Sequence, residues 1–148
     1  MAHFRIHYLS LFMLAFILSS CTDKHADSLI AEAQQLLNTK PDSALVVLDS
    51  IRGNKTDWPR SQQMRYELVY AQAQNKAYVN FTTDSIVLSL VDYYNRHGNA
   101  NERMMANYMA GCAYRDLEDA LSALKYLNQA VDAVDESDED CDLNTLMR

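Results

Sequence analysis

Three side-chain types in this 148-residue chain are the natural carriers of chemistry: thiols, imidazoles and a run of carboxylates. Cysteines stand at 21, 112 and 141, and histidines at 3, 7, 25 and 97. A zinc site needs four such ligands at short, paired spacings, and no Cys-x-x-Cys occurs. Cys112 falls in a helical apolar pattern, where it reads as a small buried hydrophobe rather than half of a disulfide with Cys141. In the acidic run "DESDEDCD" (135–142), Asp138, Asp140 and Asp142 have the spacing of a calcium loop. Leu143 stands where that loop requires glycine, and its closing glutamate position would lie beyond Arg148. The run therefore reads as a solvated loop, with Asp142 capping whatever follows. Gly-x-Ser-x-Gly, the phosphate-binding glycine loop, His-Glu-x-x-His and Gly-x-Gly-x-x-Gly are all missing. No catalytic residue, metal site or cofactor is expected, and no small-molecule substrate is indicated.

Cys21 stands apart because of what precedes it. Residues 1–20, MAHFRIHYLSLFMLAFILSS, open with Arg5 between His3 and His7. An apolar stretch from Leu9 to Leu18 follows, interrupted only by Ser10. A positive start, a short apolar run and small residues form the layout of a secretory signal peptide. The run is about half the length of a membrane-spanning helix, which needs about 20 apolar residues. Leu18-Ser19-Ser20-Cys21 resembles the bacterial lipobox. That resemblance implies cleavage before Cys21, a diacylated thiol and an acylated new amine. More than one acyl chain gives stable anchoring, since each buried methylene contributes about 0.8 kcal/mol. Thr22, rather than Asp, follows the cysteine. In bacterial lipoproteins this resembles an outer-membrane destination, here on the periplasmic face because no acidic run comes next. Residues 22–25 are expected to be a short tether.

The remaining composition points to helices. Hydrophobic residues make up 49% of the chain and charged residues 22%, with three glycines and two prolines. Few breakers imply helices joined by short turns. The net charge is −7, and loss of residues 1–20 removes Arg5 and leaves −8. This argues against nucleic acid as a partner, because phosphate contact needs clustered Lys and Arg.

Apolar residues recur at helical spacing over Ala26 to Asn38, Asp42 to Arg52, Ser61 to Tyr78, a stretch ending near His97, Glu102 to Leu117, and Asp119 to Val134. Pro41 suits the first turn of the second helix, and Gly53 is expected to end it. Asn54 to Trp58 reads as a polar loop. Thr83 or Asp84 is the expected cap of the fourth helix and Asn101 of the fifth. Four Asp-Ser-aliphatic triplets, at 27, 42, 49 and 84, resemble an O-glycosylation consensus but are read as helix caps.

The stretch "MMANYMAGCAYRDLEDALSALKYLNQAVDAVDES" (104–137) resembles the tetratricopeptide repeat, a helix pair of about 34 residues. Gly111 falls on the family's small position in the first helix and Tyr114 on its aromatic one. Leu117 lies at the turn, and Ala123, Leu127 and Ala130 form the small–large–small ridge of the second helix. The resemblance implies an all-α fold: about three antiparallel pairs stacked over residues 26–137 as a right-handed solenoid, preceded by a signal peptide. Glu118 and Asp135 depart from the family's usual turn glycine and closing proline. "PDSALVVLDSI" and "DSIVLSLVDYYNRHG" look like second helices in envelope-associated tetratricopeptide proteins of gut anaerobes. By that resemblance the chain is a lipid-anchored scaffold that binds a protein or peptide, without enzymatic activity. The alternative is the sensor part of a truncated transcriptional regulator. Tyr70, Asn75, Asn107 and Arg115 are the expected groove residues. Residues 138–148 are expected to form an acidic loop and the start of another helix, with Leu143, Leu146 and Met147 on one face.

Overall fold

The computed structural model describes residues 22–134. The lipobox, Cys21 and the segment 138–148 lie outside the described residues. Among the described residues six α-helices run in order: α1 (Lys24–Leu36), α2 (Pro41–Ile51), α3 (Arg60–Lys76), α4 (Ser85–His97), α5 (Ala100–Asp116) and α6 (Ala120–Asp132). A 3-10 segment, Arg52–Asp57, joins α2 to α3. No strand occurs among the described residues. The all-helical fold expected from spacing is present and is compatible with a helical repeat. Each helix packs on the next, and α3 also touches both α1 and α5.

The ends of the helices follow local chemistry, in places through residues other than those expected. Asp23 caps α1, its carboxylate accepting from the backbone N–H of His25 and Ala26 at 3.0 and 3.1 Å. The helix therefore begins at Lys24, and residues 23–25 belong to the folded body rather than to a tether. Pro41 occupies the first turn of α2. Gly53 does not terminate α2. The chain tightens there into the 3-10 segment, and no glycine among the described residues takes a positive φ. The expected polar loop ends in a core residue, since Trp58 is buried and meets Tyr66 edge-on at 5.5 Å.

Asn99, not Asn101, caps α5. It forms a reciprocal capping box with Glu102, at 2.8 and 2.9 Å. At α4 it is the Thr83 hydroxyl that accepts from the Ser85 N–H, at 3.3 Å, while Asp84 makes no capping bond. None of the four Asp-Ser triplets supplies a side-chain cap at a helix start. Asp27 and Asp42 lie inside first turns, where a carboxylate complements the helix dipole.

Two apolar clusters build the core. One joins α1, α2 and α3 around Ile30, Leu48 and Tyr66, and the other joins α3 to α6 around Leu90, Met104 and Met109. Helix α3 serves both. Met64, Leu68 and Ala71 face the second cluster, and Tyr66, Val69 and Ala73 the first. Burying side chains such as Ile30 or Leu90 contributes about 1.5–3 kcal/mol each.

Helices α3 and α5 are alike in a further way. Each has 17 residues, and each ends at a residue in the left-handed region, Tyr78 (φ 57°) and Glu118 (φ 62°). Beyond each of these the chain turns back with the same bond, Val79 N–H to Gln74 O and Asp119 N–H to Tyr114 O, both 2.9 Å. This is the six-to-one bond of a Schellman turn. Helices α4 and α6 have 13 residues each.

Candidate functional site

Gly111, Tyr114, Leu117, Ala123, Leu127 and Ala130, the residues expected to pack the last helix pair, lie on α5, on α6 and at the turn between them. Gly111 lies so close to α6 that a Cβ added there would fall 2.6 Å from both Cγ and Cδ2 of Leu127 and 3.3 Å from its backbone nitrogen. Glycine is required because the two helices meet without room for a methyl group. Ala123 and Ala130 are buried, and Leu127 is half-buried. Tyr114 stacks face to face on Tyr126, with centroids 5.4 Å apart. Its hydroxyl donates to Asp84 Oδ2 at 2.7 Å, tying α5 to the start of α4. That bond to a carboxylate, more than any other influence, pushes the phenol up to about 12, because it favours the protonated form. Leu117, at the turn, is 37% exposed and buries less than a packing residue would.

The four expected groove residues do not converge. Asn107 is buried at 3% exposure. Its amide donates to Arg103 O at 2.8 Å, and its Oδ1 has no hydrogen-bond partner. It is a residue of the interior, because α5 is packed on several sides and this position faces inward. Tyr70 lies in a cavity of about 370 Å³ beside the 3-10 segment. There its ring carries the Arg52 guanidinium at 4.6 Å, and its hydroxyl donates to Asp49 Oδ1 at 3.2 Å. The Lys55–Glu67 ion pair lines the same cavity.

Asn75 and Arg115 do come together, 40 positions apart in sequence. Arg115 Nη2 donates to Asn75 Oδ1 at 3.3 Å. The guanidinium is aimed by Asp116, whose Oδ1 accepts from Arg115 Nε and Nη2 at 3.0 and 2.8 Å. Asp116 is itself held by the Phe81 N–H at 3.1 Å to Oδ2. Both residues line a cavity of about 440 Å³ that crosses the C-terminal end of α1, α3 and α5. Gln72, Tyr78, Tyr108 and Met105 complete its walls. Amide, phenol and guanidinium groups on an apolar floor can hold a segment of peptide backbone by hydrogen bonds while burying its side chains.

Tyr108 and Arg115 also border an apolar cavity of about 530 Å³ between α5 and α6, lined by Cys112 and Leu127. Burial raises the Cys112 thiol above its ordinary value and keeps it protonated and unreactive.

Tyr108 and Gln72 were legible only as helix-surface residues. The step of seven from 108 to 115 marks one face of α5, but nothing local says that α3 presents Asn75 to it. Among the described residues no group of three His, Cys, Asp or Glu side chains could hold a metal ion. No described helix is long and apolar enough to cross a membrane. No protein-family model matches the chain, and neither a curated protein nor a solved structure matches it significantly.

Proposed function

We propose that this protein is a lipid-anchored scaffold of the bacterial envelope that binds a segment of another protein in the cavity across α1, α3 and α5. The observation that carries this reading is the Asn75–Arg115 pair. A guanidinium held in place by the half-buried Asp116 carboxylate stands beside an amide, on the wall of an open cavity shared by three alternate helices. A preset cation loses little freedom on binding, which favours recognition of carbonyls or a carboxylate on a peptide.

The right-handed stack of tetratricopeptide-like pairs belongs to the same proposal. It is supported by the matched lengths and endings of α3 and α5, by the contacts of α3 with α1 and α5, and by the fit of Gly111 against Leu127. In such arrays each repeat contacts only its neighbours, and the surface between them is the working part. Anchoring through Cys21, after removal of residues 1–20, rests on the lipobox resemblance. The reading assigns no reaction to the chain.

The test is cross-linking of the mature, membrane-associated protein in envelope preparations. A photoreactive residue at Gln72 should give a discrete adduct with a second protein, and Arg115→Ala with Asn75→Ala should abolish it without changing the helical content. An adduct that survives both substitutions unchanged would remove the cavity from the binding role.

A further inference from the structure

Gln62 makes the longest-range polar contact to the start of the described chain. It sits in the first turn of α3 and is 3% exposed. Its Oε1 accepts from the Asp23 N–H at 3.1 Å, and its Nε2 donates to the Asp23 carbonyl at 2.7 Å. Both backbone polar groups of Asp23 are thereby engaged by one buried amide, while the Asp23 carboxylate caps α1. A buried amide with donor and acceptor both satisfied is costly to separate from its partner, since opening it leaves unpaired groups in the interior.

One turn further on, Arg65 Nη1 meets Asp27 Oδ1 at 3.5 Å. Helices α1 and α3 therefore lie side by side in the same direction, with their N-terminal ends together. Asp23 is therefore fixed in the folded body and is not part of a flexible tether. Only Thr22 intervenes between Asp23 and Cys21. With about 3.3–3.6 Å per residue at full extension, Cys21 lies within about 7 Å of Asp23.

We infer that Gln62 sets how the protein sits on its membrane: its clamp on Asp23 holds the N-terminal ends of α1 and α3 against the lipid surface and directs their C-terminal ends away from it. The inference rests on the lipidation of Cys21 proposed above. A 13-residue α1 and a 17-residue α3 are about 20 and 26 Å long. The cavity bordered by Asn75, Tyr78 and Arg115 then opens at the end remote from the bilayer, where a partner reaches it without meeting headgroups.

The experiment uses the full lipidated chain with Cys112→Ala and Cys141→Ser, reconstituted in phosphatidylethanolamine–phosphatidylglycerol vesicles containing headgroup-spin-labelled lipid. A fluorophore is attached at Arg60→Cys or at Tyr78→Cys, both exposed positions at opposite ends of α3. Quenching should be several-fold stronger at position 60 than at 78. Gln62→Ala should bring the two values together. Insertion of ten Gly/Ser residues after Thr22, which leaves the clamp and the fold intact, should do the same even if Gln62→Ala fails to fold. Equal quenching at 60 and 78 in the lipidated parent protein overturns the inference and leaves the anchor standing. A ratio unchanged by the insertion overturns it as well. Absence of acyl mass on Cys21 overturns the anchoring reading, and this inference with it.

Discussion

At Gly111 a single hydrogen atom decides whether α5 and α6 can pack. A methyl group would overlap Leu127 at 2.6 Å, with the Leu127 backbone close behind. Gly111→Ala should destabilise the protein by about 1–3 kcal/mol, the usual cost of overpacking. Urea unfolding measures it, and adding Leu127→Ala should recover part of the loss, because the two changes share one contact. The Tyr114–Asp84 bond makes a pH prediction. The folded phenol titrates at about 12 and the free one near 10, so folding favours the protonated form. Its contribution to stability is complete below about pH 10 and disappears as pH rises through about 12. A Tyr114→Phe variant should lose stability at neutral pH and show less alkaline decline across that window than the parent in thermal melts.

At the scale of the element, the two Schellman endings differ from common practice in using side-chain residues where glycine is favoured. Glu118 stands at φ 62°. The left-handed conformation costs a non-glycine residue about 1–2 kcal/mol, while glycine adds about 0.5–1 kcal/mol of unfolded-state entropy. Glu118→Gly should therefore raise stability by up to about 1 kcal/mol, read as a higher midpoint in thermal unfolding. The capping box of α5 predicts the opposite sign at its other end. Asn99→Ala should cost about 1 kcal/mol, whereas Asn101→Ala should cost little.

At the scale of the whole molecule, α3 couples two cores. Trp58, the single tryptophan, reports on the cluster of α1, α2 and α3. Leu90 is fully buried in the other. Because Tyr66 and Val69 share a helix with Met64 and Leu68, neither cluster can lose α3 alone. Leu90→Ala should cost about 2–5 kcal/mol and shift the Trp58 fluorescence transition and the far-ultraviolet circular-dichroism transition by the same amount. Separate transitions would show that the two clusters unfold independently.

The amino-acid sequence by itself determined the number, order and approximate bounds of the described helices, and the small residues at which the last two of them meet. Those signals are local: apolar residues three and four apart, Pro41 in a first turn, glycine where two backbones meet. Where it chose the wrong cap, Asn101 for Asn99, or left two open, Thr83 and Asp84, the competition was local, between neighbouring residues that offer the same chemistry. Tertiary structure alone decided which polar residues work. Asn107 and Arg115 look equally surface-like on α5, yet one is interior and the other reaches Asn75 across 40 residues. Gln62 and Gln63 are adjacent and identical, but only Gln62 meets Asp23, while Gln63 turns to the Trp58 carbonyl at 2.7 Å. Helical periodicity shows which face is apolar, but the neighbour that a polar side chain meets depends on helix pairing between distant segments, and no local pattern carries that information.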